Sequence, residues 1–157
     1  MSGFVSAGGA AFSSASDNWP TPKAFYDKLD KEFGFVLDVA ASSANHRAPA
    51  WYGLDHADLS RRDGLAQDWA AEAALLGGAV WMNPPYGRAI INWVAKADAS
   101  AQAGATVVCL VPSRTDTRWF HDHCAQYELR FVKGRLKFGD AKNSAPFPSL
   151  LVVMRNV

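Results

Sequence analysis

Apolar residues fall in short runs along this chain, and the spacing within each run predicts an alternation of helices and strands. Phe25, Leu29 and Phe33 recur at i, i+4 and i+8, the apolar stripe of an amphipathic helix. Thr21 is placed to cap that helix, and Gly34 ends it. Pro22 suits the first helical position because proline has no N–H to leave unpaired. Residues 35–40, apolar except for Asp38, read as a buried strand. Residues 42–78 are polar and small, with no good strand pattern. A second strand over 79–82 is stopped by Asn83-Pro84-Pro85-Tyr86. Residues 87–103 predict a helix with Ile90, Ile91, Val94 and Ala97 on one face and Gly104 closing it. Residues 106–111 are a third strand ended by Pro112, and 116–126 a short helix. Residues 128–138 are β-like with Gly134 at a bend or bulge, 139–148 are loop, and 149–154 are a last strand. Strand, helix, strand, helix, strand predicts a parallel sheet with crossover helices. The final two strands have too short a link for a crossover and are expected to be antiparallel neighbours.

Composition narrows the class. With 157 residues, 49% of them hydrophobic, the chain can build one domain with a real core, since about 150 residues bury roughly 70% of their unfolded surface. We expect a single domain over 17–157, preceded by a flexible Gly-, Ser- and Ala-rich arm over 1–16 that lacks the basic start and apolar stretch of a signal peptide. The content of charged and aromatic residues excludes a disordered chain, and no apolar run is long enough for a membrane span. Cys109 and Cys124 have no CxxC spacing, which points to a reduced, cytoplasmic setting with Cys109 packed as a small hydrophobe. The net charge of +1 lacks the basic footprint of most nucleic-acid binders. It conceals an asymmetry: residues 1–110 carry 8 Lys/Arg and 11 Asp/Glu, and residues 111–157 carry 8 and 4. Either this is chance scatter, or the C-terminal segment forms a face that meets phosphates.

The sharpest chemical signal is Asn83-Pro84-Pro85-Tyr86, at the end of one strand and before a helix. Sites in open α/β sheets form at the carboxyl ends of strands. An exocyclic amine is a poor nucleophile because its lone pair is delocalised into the ring. Two acceptors aimed at its two N–H bonds favour a tetrahedral nitrogen and free the lone pair. The Asn83 side-chain oxygen and the Pro84 carbonyl can supply them, Pro85 has no N–H to compete, and Tyr86 offers a face for a planar base. The transferred group must come from an activated donor held in line with the amine.

The motif matches that of amino-group methyltransferases that use S-adenosylmethionine. A wider set is narrower in meaning: Trp19-x-Thr-Pro-x-x-Phe25, Phe35-x-Leu-Asp-Val-Ala-Ala41, Asp63-Gly-Leu-x-x-Asp-Trp69, Trp81-x-Asn-Pro-Pro-Tyr-Gly87, Pro112-x-Arg-Thr-Asp-Thr-x-Trp-Phe-His121, Gly134-Arg-Leu-x-Phe-Gly139 and Lys142-Asn-Ser-Ala-Pro-Phe-Pro-Ser149. Together they resemble the small phage-type DNA N6-adenine methyltransferases (the phage Dam family) over residues 16–155. The resemblance implies an α/β, Rossmann-like methyltransferase fold with a shortened, mostly parallel sheet and an antiparallel C-terminal strand. It also implies S-adenosylmethionine as cofactor, DNA as partner, and the cytoplasm of a bacterial or phage-infected cell as location. By the same resemblance Trp19, Thr21 and Pro22 lie over the methionine end of the donor. Asp38, Val39 and Ala40 open the first donor-binding loop, Asp63 meets the donor's adenine, and Asn83, Pro84, Pro85 and Tyr86 hold the target base. The chain departs from the general pattern in two places. The loop Ala40-Ala41-Ser42-Ser43-Ala44 has no glycine, and no second strand with a ribose-binding acid is visible, Asp55 and Asp58 being the candidates. The sheet is therefore expected to lack one or two strands.

Other residues carry two readings each. Arg114, Arg135, Lys137 and Asn143 are candidate contacts to DNA phosphate or base edges, or else solvated loop residues. Arg118, and a possible cap at Asp116, belong to the same segment. Trp119 and Phe120 read as core, and Trp51 and Tyr52 as a base-stacking pair or simple loop packing. His121-Asp122-His123-Cys124 is not a metal site by spacing, because positions 121 and 123 point apart on a helix. No membrane partner is expected, a monomer suffices for both pockets, and one domain of this length leaves room for only short sequence specificity. Open alternatives are methylation of RNA adenine, cytosine N4 or protein glutamine, and a DNA-binding module that keeps the fold without chemistry.

Overall fold

Apolar runs become strands largely where the pattern places them. A computed structural model describes residues 19–138 and 144–156, so the expected arm over 1–16 and Asn143 lie outside the described residues. The strands are β1 (Phe35–Asp38), β2 (Ala50–Trp51), β3 (Ala79–Met82), β4 (Val107–Pro112), β5 (Glu128–Phe131) and β6 (Ser149–Met154). The helices are α1 (Lys23–Phe33), α2 (Trp69–Leu76), α3 (Ile90–Gln102) and α4 (Arg118–His123). The sheet order is β2-β1-β3-β4-β6-β5. The first four strands pair in parallel, and β6 pairs antiparallel with both β4 and β5. The fold is therefore mixed α/β with a mostly parallel sheet, and the expectation of antiparallel final strands is borne out.

Both faces of the sheet are covered over its central strands β1, β3, β4 and β6, which is why these are apolar rather than alternating, whereas the edge strand β5 is exposed at both ends. Leu37, Met82, Val107 and Val152 cluster with Trp69, Val94 and Phe120 from α2, α3 and α4. Trp81, Val108, Leu110 and Val153 cluster with Tyr26 and Leu29 of α1 and with Phe138 and Phe147. Cys109 and Cys124 are fully buried, and burial pushes both thiols up. Trp119 and Phe120 are core as expected.

Four local expectations are corrected. Thr21 makes no cap bond to α1; its hydroxyl is taken by Asn83, and Pro22 stands at the cap position without a side chain to offer. The segment 42–78 contains a two-residue strand, β2, and a helix, α2. Asp68 caps α2 by accepting from Ala71 N–H. Neither has a period to read: β2 is too short, and α2 is half alanine with Leu75 and Leu76 exposed. Thr117, not Asp116, caps α4. Finally, β5 stops at Phe131, well before residue 138, because Gly134 has φ of 75° and turns the chain off the sheet edge.

This topology positions the site. From the central neighbours β1 and β3, the chain leaves β1 for β2 on one side and β3 for β4 on the other. The connections diverge at the carboxyl ends of β1 and β3, the switch point where an open α/β sheet leaves a crevice.

Candidate functional site

Three strand ends meet at that crevice. Asp38 is the last residue of β1, Asn83 follows β3, and Tyr52 follows β2. Backbone bonds lock them: Val39 N–H donates to Trp81 (3.2 Å), Tyr52 N–H to Asp38 (3.0 Å) and Ala41 N–H to Tyr52 (2.9 Å). They enclose a cavity of about 540 Å³. Of the residues expected at the donor site, Trp19, Thr21, Asp38, Val39, Ala40 and Asp63 border it. Asn83, Pro84 and Pro85 border the same cavity, whereas Pro22 and Tyr86 do not.

Asn83 is oriented from both ends. Its Nδ2 donates to the Trp19 carbonyl (2.5 Å) and to the Thr21 hydroxyl (3.0 Å). A carbonyl can only accept, so the amide nitrogen must face Trp19 and the side-chain oxygen the other way. That oxygen accepts from the Tyr86 hydroxyl at 2.7 Å, which also lies 3.0 Å from the Leu110 carbonyl. The hydroxyl has one proton and two acceptors within reach, so it can release the Asn83 oxygen without losing a partner. The Pro84 carbonyl accepts no hydrogen bond from any described residue. Burial holds the Tyr86 phenol well above its ordinary value, so it stays a neutral donor. Its ring meets Phe147 and Phe138 edge-to-face, at 5.5 and 6.3 Å, and Trp19 packs on the same two phenylalanines.

The first loop, which has no glycine of its own, packs against two glycines. A Cβ on Gly53 would fall 2.0 Å from the Ala41 carbonyl oxygen, and one on Gly64 would fall 2.3 Å from that of Val39. The loops after β2 and before α2 thus press bare backbone against the loop after β1. The Tyr52 wall is held by a network: its hydroxyl donates to Glu72 at 2.5 Å, Glu72 pairs with Arg61, and Arg61 lies 4.7 Å over the Tyr52 ring. Trp69 anchors the third wall by donating to the Gly64 carbonyl at 2.8 Å. Tyr52, read from the sequence as one of a base-stacking or loop-packing pair, is a buried wall of the cavity, whereas Gly53 and the role of Gly64 carry no reading in the sequence. The signal for both glycines was the requirement for close backbone approach, which the first loop did not meet.

The acids divide by environment. Asp55 follows β2 and borders the cavity; the Ser43 hydroxyl and N–H on its carboxylate hold its pKa below the usual carboxylate range. Asp58 caps a short 3-10 turn and does not border the cavity, so of the two acids after β2 Asp55 is the one at the cavity. Asp63 is exposed at the rim and accepts from Leu65 N–H. Asp38 is buried, and desolvation raises its pKa to about 6 against bonds from the Arg47 and Ala40 N–H groups, which lower it. Because its folded value lies above the unfolded one, the folded chain takes up a proton more readily between about pH 4 and 6. Ionised Asp38 therefore costs stability that grows as pH rises through that window. In Asp38→Asn, stability relative to wild type is expected to rise by about 2 kcal/mol between pH 4 and pH 7. Urea melts of the ligand-free protein across that range check it; a constant difference would contradict it.

The expected DNA contacts are not brought to the cavity. Arg114, Arg135 and Lys137 are all exposed, and Arg135 makes one long bond to the Ala145 carbonyl (3.4 Å). His121 and His123 diverge, one to the Thr115 carbonyl and the other to Asp98. Trp51 is sandwiched by His46 and His56, with centroids 5.1 and 4.3 Å away.

Comparison with known proteins adds a family. The family model described as DNA N-6-adenine-methyltransferase (Dam) matches residues 9–157. The chain is 35% identical over 71 residues to "Putative methyltransferase YfdM" of Escherichia coli (strain K12), covering 45% of this chain and 71% of that protein. It is 30% identical over 105 residues to the DNA N-6-adenine-methyltransferase of Escherichia phage T1, covering 66% of this chain and 39% of that protein.

Proposed function

The chain belongs to the DNA N-6-adenine-methyltransferase (Dam) family, and from that membership and the geometry of the cavity we propose that it transfers a methyl group from S-adenosylmethionine to the N6 amine of an adenine in DNA. The observation that carries this reading is Asn83: its amide is clamped so that its oxygen faces away from Trp19, at the border of the cavity that Asp38 also lines. The cavity suits the donor in charge: Asp38, Asp55 and Asp63 set carboxylates around a cationic ligand.

The chemistry that S-adenosylmethionine supplies when bound is a methyl group made electrophilic by a sulfonium. The protein's part is to hold the amine. The target base leaves the duplex, at a cost of a few kcal/mol, to reach residues 83–86. One amine N–H bonds the Asn83 oxygen, displacing the Tyr86 hydroxyl onto the Leu110 carbonyl, 3.0 Å from it. The other bonds the Pro84 carbonyl, and the tyrosine ring gives the base its stacking surface. On this reading Asp55 takes the donor's ribose, Asp63 its adenine, and Trp19 and Thr21 its methionine end, Pro22 lying off the cavity.

The test is incubation of the full chain with DNA and tritiated donor, followed by mass spectrometry of nucleosides. N6-methyladenine in DNA is the expected product. N4-methylcytosine, or label only in RNA or protein glutamine, would assign the chemistry to another amine. DNA binding without donor binding would leave a binding module.

DNA contact is assigned to the basic segment after residue 111. Arg114, Arg135 and Lys137 make about three phosphate contacts, which predicts a fall in affinity of about 40-fold between 50 and 200 mM salt. Fluorescence anisotropy measures this, and affinity indifferent to ionic strength would contradict the assignment.

A further inference from the structure

We infer that Arg47 takes the α-carboxylate of an amino-acid zwitterion held in the cavity. On the function proposed above, on which this rests, that is the carboxylate of the donor's methionine end. Arg47 lies in the polar stretch between β1 and β2 that carried no motif, yet it borders the cavity and ties two of its walls together. Its Nη2 donates to the Thr21 carbonyl (2.5 Å), and its backbone N–H donates to Asp38 Oδ2 (2.9 Å). The rest of the guanidinium is uncommitted. Nε is buried without a partner, and neither Nε nor Nη1 donates to any described residue. No carboxylate of the described residues lies within 4.0 Å of it, whereas Arg61, Arg130 and Arg155 are each paired with one. Nε is closed off from solvent, whereas Nη1 is neither closed off nor bonded to a described residue, so on a side chain that borders the cavity it is the donor that a ligand can meet.

Charge selects the ligand. Arg47 stands beside Asp38, with Asp55, Asp63 and Arg62 also on the cavity border, so the site carries more negative than positive groups. A phosphate would meet three carboxylates. An amino-acid end brings one carboxylate for the guanidinium and one ammonium for Asp38, matching both signs at once. The planar guanidinium suits a carboxylate through paired N–H bonds, which an ammonium cannot reproduce.

Calorimetry on the full chain tests this with two ligands. S-adenosylhomocysteine carries the amino-acid end, and 5′-methylthioadenosine lacks it. In Arg47→Met, affinity for S-adenosylhomocysteine is expected to fall about 10- to 100-fold, while that for 5′-methylthioadenosine changes less than about twofold. Arg47→Lys keeps the charge without the fork; it is expected to recover part of the loss and stands in if the methionine variant does not fold. Parallel losses for both ligands would make Arg47 a scaffold for Thr21 and overturn the inference, as would no loss for either. Wild-type protein that binds neither adenosine compound would instead overturn the function on which it rests.

Discussion

Asn83→Ala is expected to lower methyl transfer to DNA by about a thousandfold, measured as single-turnover incorporation of tritiated methyl at saturating donor. The figure follows from the loss of one preorganised hydrogen-bonding group at a reacting centre, which commonly costs 10²–10³ in rate, together with misplacement of the amine. The structure adds a second consequence that the motif alone does not contain. The same amide holds the Trp19 carbonyl and the Thr21 hydroxyl, and both residues border the cavity. Donor affinity should therefore also fall, by a factor of a few, rather than stay unchanged as the sequence alone would suggest. Asn83→Asp separates the two roles. It keeps an acceptor for the amine but loses both donated bonds and sets an oxygen against the Trp19 carbonyl, so its donor affinity should fall further than that of the alanine variant. Transfer by Asn83→Ala at the wild-type rate would remove residues 83–86 from the catalytic centre.

Trp69→Ala is expected to cost about 3–5 kcal/mol of stability, a large part of what a domain of this size has in reserve. Trp69 opens α2, is fully buried, and stacks on Trp93 with centroids 6.1 Å apart. Removing the indole leaves a cavity that the strands cannot close and frees the Gly64 carbonyl that its N–H holds. At about 2–4 °C per kcal/mol for a chain of this length, the midpoint should fall by roughly 10 °C. Trp69→Phe fills most of the space and loses only the hydrogen bond, so its cost should be about 1–2 kcal/mol. Its more telling effect would be on ligand affinity, because Gly64 forms part of the cavity wall. Urea melts give the first quantity and calorimetry the second. An alanine variant within about 1 kcal/mol of wild type would show that α2 is not part of the cooperative core.

How far the chain could be read in advance depended on whether the determining physics was local. β1, β3, β4 and β6 were legible because a strand buried on both faces must be continuously apolar, and runs such as Val107–Pro112 have few other uses. α1 and α3 were legible from the spacing of Phe25, Leu29 and Phe33 and of Ile90, Val94 and Ala97, although Ile91, read on the same face, is exposed. β2 was not, because two residues carry no period and Ala50–Trp51 becomes a strand only by pairing with Leu37 and Asp38. Thr21 was misread for a related reason. Its position fitted a helix cap, and nothing nearby in the chain marks the competing partner, which is 62 residues away.

By itself the sequence determined most of the strand and helix runs and the place of Asn83-Pro84-Pro85-Tyr86 at a strand end, each carried by a few adjacent residues. Family membership was also legible there, because it rests on which residues recur and not on where they lie. Only the tertiary structure decided which loops meet. It placed Gly53 and Gly64 against the carbonyls of the loop after β1, set Asp55 and not Asp58 on the cavity border, and brought Arg47 between Thr21 and Asp38. The reason is geometric: parallel pairing carries the ends of β1, β2 and β3 to one edge, and contacts made there depend on strand order, which no local pattern records.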